Sequence, residues 1–224
     1  VLSEEEIAVT IGKVDEVVEI ELVNYFIKGN IALTKVDEDY PDNKLSGAVF
    51  EVYSDTNGDG KLDKDDTLLG EMKELDGGVY QMSELRYGKY LVKETKAPTG
   101  FVLDENVYSV SVEENGKTYT VENKAGVGFI NAAQKGSLKI VKTSSDGKVE
   151  GFSFRVTGVD YDQTFKTDKN GEIVIEGLRI GDYTVSEVSD KASAGYILPA
   201  DKQATVKVDA TAIVQMHNEF RDTP

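Results

Sequence analysis

The sequence predicts an all-β protein made of repeated domains, and three observations carry that reading. Runs of Val, Ile, Tyr and Thr are broken at short intervals by Gly and by Asp/Asn pairs, the punctuation of strands and tight turns. No long segment places its apolar residues at the helical period. One set of segments also occurs twice, in the same order.

The repeat runs as follows. "LSGAVFEV" (45–52) matches "VEGFSFRV" (149–156), and "ELRYGKYLVKE" (84–94) matches "GLRIGDYTVSE" (177–187). "GFVLDENVYSVSV" (100–112) matches "GYILPADKQATVKV" (195–208) with a slip of one residue, and "FIN" (129–131) matches "MHN" (216–218). These matches delimit two homologous domains, residues 29–134 and 135–224. Residues 1–28 resemble a third, partial copy: "VLSEEEIAVTI" (1–11) is similar to "VLDENVYSVSV" (102–112), and Asn24 precedes Gly29 as Asn131 precedes Gly136. They read as the C-terminal strands of a truncated preceding repeat. Two strands alone are marginal in water, so they are expected to pair with a neighbouring molecule, a separate chain or the first domain.

Composition narrows the function classes. The chain has 224 residues, enough for two ordinary domains, and 39% apolar residues, enough to build their cores. A net charge of −16 argues against nucleic acid and against anionic lipid. There is no cysteine, which excludes disulfides and thiolate metal sites. No apolar run approaches the roughly 18 residues of a membrane span. No signal peptide or sorting signal is evident, so the sequence reads as a piece of something longer.

Parity along the strands then exposes an anomaly. Side chains alternate faces in a strand. In "GNIALTKVD", Lys35 therefore shares a face with Ile31 and Leu33. Glu94 shares one with Tyr90 and Val92, and Asn131 with Val127 and Phe129. The second copy repeats the pattern: Lys142 with Leu138 and Ile140, Glu187 with Tyr183 and Val185, and Asn218 with Val214 and Met216. Burying a lone ammonium or carboxylate is costly, and such groups move toward neutrality. A neutral lysine is a nucleophile, a protonated Glu can polarise an amide and shuttle protons, and a held Asn amide is an electrophile. The residues therefore allow two outcomes. One is a Lys–Asn amide cross-link with loss of ammonia. The other is a buried Lys–Glu ion pair with Asn as hydrogen-bond partner.

The stretch "YLVKETKAPTGF" (90–101), with Tyr90, Glu94, Ala97, Pro98, Gly100 and Phe101, resembles the signature of collagen-adhesin B-type (Cna B-type) repeats. These are the prealbumin-like, inverse Ig-like β-sandwich domains of Gram-positive surface proteins and pilins. "GAVFEVY" and the Asn-bearing last strand fit as well. The resemblance implies tandem prealbumin-like sandwiches in which a first-strand Lys bonds a last-strand Asn with help from a middle-strand Glu. Residue by residue, that means Lys35, Asn131 and Glu94, and Lys142, Asn218 and Glu187, with Asn24 as the orphan equivalent. The second copy departs from the pattern in "EVSDKASAGY", which lacks the Ala-Pro after the Glu.

A second motif lies in the first domain. "DTNGDGKLDKDD" (55–66) has the spacing of a twelve-residue calcium loop. Asp55, Asn57, Asp59, Asp63 and Asp66 would supply side-chain oxygens, and Lys61 its carbonyl. Gly60 makes the turn. The bland alternative is an acidic surface turn. One histidine and no cysteine rule out a His triad or a zinc site.

These readings add up to a stalk, pilin or adhesin fragment on the cell wall of a Gram-positive bacterium. It would carry autocatalytic isopeptide bonds, with Ca2+ in one loop and adjacent repeats as partners, and it would not be an enzyme. Three rivals are a ligand-binding adhesin region that recognises a host or matrix molecule, a carbohydrate-binding module, and a spacer with unreacted Lys–Glu pairs. The absence of Trp counts against the carbohydrate-binding module.

Overall fold

The first strand sets the pattern of the fold. In a computed structural model describing residues 6–221, β1 (Lys28–Asp37) turns Ile31, Leu33 and Lys35 inward and leaves Ala32 and Thr34 half-buried. After it come β2 (Val49–Ser54), β3 (Thr67–Glu71), β4 (Lys73–Leu75), β5 (Val79–Arg86), β6 (Gly88–Lys96), β7 (Val107–Val112), β8 (Thr118–Thr120) and β9 (Phe129–Asn131). They form two sheets. One has the order β4-β5-β1-β8, with β9 also paired to β1, and the other has the order β3-β2-β6-β7.

Apolar side chains from the two sheets meet in one cluster. Ile31, Leu33, Tyr80 and Leu85 come from the first sheet, and Phe50, Val52, Val92 and Val112 from the second. Phe50 lies edge-on to Tyr80 and to Phe129, with ring centroids 5.2 and 4.9 Å apart. Each such pair adds about 0.5–1.5 kcal/mol beyond its buried area.

The remaining strands repeat the plan. They are β10 (Lys135–Ser144), β11 (Ser153–Gly158), β12 (Tyr161–Lys166), β13 (Glu172–Arg179), β14 (Gly181–Glu187), β15 (Tyr196–Ile197), β16 (Lys202–Val206) and β17 (Thr211–Phe220). The sheet orders are β13-β10-β17-β15 and β12-β11-β14-β16. Leu138, Ile140, Phe152, Phe154, Val185 and Met216 belong to their common core. The chain divides into two compact units, Val1–Ala132 and Ala133–Pro224. Among the described residues there is no α-helix, and no helix is long and apolar enough to cross a membrane.

In each unit the first strand runs parallel to the last. β1 takes β8 alongside residues 30–32 and β9 alongside residues 35–37, whereas β10 pairs with a continuous β17 from Ser137 to Ser144. The interruption in the first unit is the loop 121–128. It returns to the sheet at Gly128, whose φ is +133° and where a Cβ would stand 2.8 Å from the Thr34 carbonyl oxygen. Only glycine suits that combination of backbone angle and close approach.

Residues 6–27 form no strand, and their apolar side chains as far as Phe26, Ile11, Val14, Val17 and Leu22 among them, are exposed. Asn24 is exposed too. Of the three partners the sequence leaves open, the first domain meets only the end of this segment among the described residues: the Tyr87 N–H donates to the Ile27 carbonyl at 2.9 Å and the Arg86 guanidinium lies 4.1 Å from the Phe26 ring centre. Two strands with no third to cover them cannot offset their ordering cost. The part of the partial-copy reading that concerns residues 1–5 lies outside the described residues, as do residues 222–224.

Candidate functional site

Strand register explains how Lys and Asn meet. Lys35 stands opposite Phe129, and Asn131 lies two residues further along β9. Lys142 stands opposite Met216, and Asn218 lies two further along β17. A step of two keeps the side chain on the same face, so each Lys has its Asn as a diagonal inward neighbour, within reach of a long side chain. The Glu comes from the facing sheet. β6 pairs Glu94 with Phe50, and β14 pairs Glu187 with Phe154.

In the first unit all three groups are sealed from solvent: Lys35 and Glu94 are 0% exposed and Asn131 is 3% exposed. Lys35 Nζ donates to the Phe129 carbonyl at 2.9 Å and stands 5.3 Å from the Phe129 ring centre. The Asn131 amide Nδ2 donates to Glu94 Oε2 at 2.9 Å, and the Asp104 backbone N–H donates to the same oxygen at 2.8 Å. Glu94 Oε1 and Asn131 Oδ1 are buried with no hydrogen-bond partner. Among the described residues Lys35 and Glu94 make no direct ion pair, so the carboxylate addresses the amide rather than the ammonium.

The second unit gives the same picture with less enclosure. Lys142 is 1% exposed and Asn218 0%, while Glu187 is only half-buried. Lys142 Nζ donates to the Thr143 carbonyl at 2.5 Å and lies 4.2 Å from the Phe152 ring centre. Asn218 Nδ2 donates to Glu187 Oε1 at 2.7 Å, and Glu187 Oε2 and Asn218 Oδ1 are without a partner. In place of Ala-Pro, the segment after Glu187 is tied down by Asp190, which accepts from Ser153 Oγ at 2.6 Å and from the Ala192 N–H at 2.8 Å.

Burial drives the electrostatics. Desolvation pulls the Lys35 ammonium down to about 8, against the opposing pull of Glu94, Asp104 and Asp37. It pushes the Glu94 carboxyl up, outweighing the hydrogen bonds from Asp104 and Asn131. Lys142 is lowered and Glu187 raised, again chiefly by desolvation. Each pair thus has its amine shifted toward the neutral nucleophile and its carboxyl toward the protonated acid.

Parity in the sequence does not reveal Asp104 and Asn123, which are neighbours of the first site. Asp104 Oδ2 accepts from Tyr108 Oη at 2.7 Å and from Asn123 Nδ2 at 2.8 Å. The signal available in the sequence is the six-residue stretch "VENKAG" (121–126), which sits between "TYT" and "VGFIN" and has no counterpart before "MHN". A crevice of about 350 Å3 opens over Asn131 at this point, lined by Asp104, Tyr108 and Asn123.

The acidic loop 55–66 joins β2 to β3. Asp55 is buried, and its two carboxylate oxygens accept from the Gly58 N–H (2.7 Å) and the Gly60 N–H (3.1 Å). Asn57 Nδ2 donates to Asp63 Oδ2 at 3.1 Å, and the Thr56 N–H donates to Asp66 Oδ1 at 3.1 Å. Positions three and nine therefore meet, and position twelve returns beside position two. The donors are all oxygens on a loop closed upon itself, which fits a hard cation in kind. Among the described residues no three acidic side chains stand close enough to share an ion as they are arranged.

The family model of the SpaA prealbumin-like fold domain matches residues 29–125 and 136–220. The chain belongs to that family. No curated protein matches the sequence. Among solved structures, the Bacillus anthracis TIE protein is 25% identical, with a TM-score of 0.64 over 87% of this chain and 34% of its own. The pilus adhesin SpaC of Lactobacillus rhamnosus GG is 14% identical, with a TM-score of 0.51 over 87% of this chain and 31% of its own. The minor pilin GBS52 of Streptococcus agalactiae is 17% identical, with a TM-score of 0.38 over 88% of this chain and 98% of its own. The chain spans about a third of the length of the TIE protein. The fold is the prealbumin-like one of that family, and the pilus adhesin SpaC shares it.

Proposed function

We propose that this chain is a load-bearing segment of a Gram-positive cell-surface stalk, a pilin or adhesin shaft displayed outside the cell. In this reading each unit is locked by an internal isopeptide bond, Lys35–Asn131 and Lys142–Asn218. One observation supports it above the others. In both units a desolvated lysine stands beside a Glu–Asn pair in which one carboxylate oxygen and the amide oxygen are buried without partners. Unpartnered buried polar atoms are costly. A protonated Glu94 would have a hydrogen to give, and Asn131 Oδ1 is the acceptor left over.

The chemistry balances with no co-reactant. Lys35 passes a proton to Glu94 and becomes a neutral amine. Nζ attacks Asn131 Cγ, the Cγ–Nδ2 bond breaks, and Glu94 relays a proton to the departing nitrogen, which leaves as ammonia. The relayed proton is the second one that Nζ gives up, the third stays as the amide N–H, and Glu94 is left holding the proton it first took from Lys35; Lys35 and Asn131 are joined by an amide. Enclosure supplies the proximity, worth about 7–11 kcal/mol for well-oriented groups. The event happens once per site, so it is self-modification rather than turnover.

The topology gives the bond its purpose. Tension enters a unit at its first strand and leaves at its last, and these two strands are paired in parallel. A bond between them carries the load past everything in between. Adjacent repeats of the same stalk are the natural partners, and residues 1–28 would form strands only against a neighbour that supplies the rest of a sheet. The loop 55–66 would hold Ca2+ through Asp55, Asn57, Asp59, Asp63, Asp66 and the Lys61 carbonyl, stiffening the β2–β3 connection.

Intact mass tests the central claim. Each bond expels one ammonia, a loss of about 17 Da. Two losses from the folded chain, mapped to the named pairs, are expected. A folded chain at its full sequence mass would return Lys35 and Lys142 to being buried, unreacted lysines and the units to plain spacers.

A further inference from the structure

The strand that carries Asn131 is weakly held by its own backbone. β9 is three residues long, cut off from β8 by the loop 121–128, and it pairs with β1 on one side. On its other side the Asn123 side chain takes the place of a neighbouring strand. Asn123 Oδ1 accepts from the Ile130 N–H at 2.6 Å, and Asn123 Nδ2 donates to the Ile130 carbonyl at 2.9 Å. A side-chain amide offers the same donor and acceptor as a peptide group, so both backbone groups of Ile130 are satisfied by one residue. The same Nδ2 also donates to Asp104 Oδ2 at 2.8 Å. Asp104 in turn gives its backbone N–H to the Glu94 oxygen that receives the Asn131 amide.

These contacts close a ring: Asn123 to Ile130, along the chain to Asn131, across to Glu94, on to Asp104, and back to Asn123. The Tyr108 hydroxyl and the Asn106 N–H fix the Asp104 carboxylate from outside the ring at 2.7 and 3.0 Å. The second unit places Asn218 on a ten-residue strand paired continuously with β10, where the backbone ladder does this work.

Resting on the isopeptide reading above, we propose that Asn123 and Asp104 are positioning residues that hold Asn131 against Glu94 and set the rate of the Lys35–Asn131 bond. The charge of Asp104 adds a second handle. The carboxylates facing Lys35 are Glu94, Asp104 and Asp37, and those facing Glu94 include Asp104, opposed by the Lys35 ammonium. Removing the Asp104 charge lowers the pH at which Lys35 becomes neutral and the pH at which Glu94 loses its proton. Both limbs of a bell-shaped rate profile then move to lower pH.

The test is a time course of both bonds in the full chain, made by cell-free synthesis and read by intact mass and peptide mapping. Lys142–Asn218 is the internal standard. Asn123→Ala is expected to slow the Lys35–Asn131 bond on the order of 10²-fold, as an ångström-scale misplacement does, with the second bond unchanged. Asp104→Asn keeps an acceptor for Asn123 and Tyr108 and keeps the backbone N–H. It should form the bond with its pH profile moved to lower pH, a change that a merely structural role would not produce. It also carries the test if Asn123→Ala fails to fold. An Asn123→Ala chain that reacts at the unsubstituted rate, or an Asp104→Asn profile that does not move, overturns the proposal. If the unsubstituted chain forms Lys142–Asn218 but never Lys35–Asn131, the isopeptide reading of the first unit falls and takes this inference with it.

Discussion

Asn131 points its side-chain Nδ2 at Glu94, 2.9 Å from Oε2, while the side-chain oxygen Asn131 Oδ1 and the second Glu94 oxygen, Oε1, stay buried and unpartnered. A resting hydrogen-bond network would satisfy those atoms. Their partnerless state next to a desolvated amine suits a reaction in which the amide oxygen gains a donor and the amide nitrogen leaves.

Replacing Glu94 by Gln keeps the shape and removes the acid. Glu94→Gln is expected to abolish the Lys35–Asn131 bond and leave Lys142–Asn218 intact, so the chain should lose one ammonia where the parent loses two. Glu187→Gln should do the converse, since the two sites lie in separate compact units. The unlinked unit should also be less stable. On the loop-entropy model, a link closing about 100 residues is worth roughly 4–5 kcal/mol. Calorimetry of the two variants reads that loss unit by unit.

The pH dependence of stability offers an independent reading of Lys35. In an Asn131→Ala chain the bond cannot form and Lys35 remains a titrating amine. Its folded value of about 8 lies below its unfolded value of 10.5. Between the two, the unfolded chain holds the extra proton, so stability rises with pH across that window. The rise should amount to about 3 kcal/mol. The parent chain, if linked, has no ammonium at this position and should lack the rise. Denaturant titrations of both chains from pH 7.5 to 10.5 give the comparison, and equal slopes would mean that Lys35 is not bonded in the parent.

Much of this was legible because strands report parity. A lysine in step with Ile31 and Leu33 must face inward whatever the partner strand is, and the repeat showed that Lys142, Ile140 and Leu138 do the same. The parallel register that sets Asn131 diagonal to Lys35 was not legible, because pairing depends on how the sheet closes rather than on any local pattern. Nor was the Asn123–Asp104 ring, whose contacts bridge residues distant in the chain through one side chain acting as a piece of strand. Residues 6–27 show where parity stops short. "EIAVTI" and "VVEIELV" alternate as strands do, yet residues 6–27 form none, since a period of two specifies a face and not a partner.

Gly128 is the hinge by which the loop 121–128 returns to the sheet. Its φ of +133° and the 2.8 Å approach of a hypothetical Cβ to the Thr34 oxygen leave no room for a side chain. Gly128→Ala should cost about 1–3 kcal/mol in backbone strain and push β9 away from β1. It should therefore slow the first bond and spare the second, with peptide mapping as the readout. Gly126 also has a positive φ, but nothing lies near the position of its Cβ. Gly126→Ala is the control that separates strain in the loop from displacement of the strand.

The acidic loop makes a prediction that does not depend on the bonds. Asp55, Asp63 and Asp66 spend their oxygens on the loop's own N–H groups, and Asn57 reaches across to Asp63. Calcium would have to draw these oxygens inward, so binding should reorganise the loop rather than drop into a finished cage. At about 100 times its Kd, the ion should stabilise the first unit by ~2.7 kcal/mol, and a chelator should reverse the gain. Asp59→Ala is the variant of choice: Asp59 is exposed and its carboxylate accepts from the Lys61 N–H, while its backbone bond to Asn57 survives the substitution, so its loss should weaken binding without unseating the loop. Asp55→Ala would confound the two, because Asp55 is buried and anchors both Gly58 and Gly60. Isothermal titration with Ca2+ and then Mg2+ completes the test. Mg2+ demands a tighter octahedron and holds its water more firmly, so a loop built for calcium should answer to the first and not the second. Heat with neither ion would leave residues 55–66 an acidic turn.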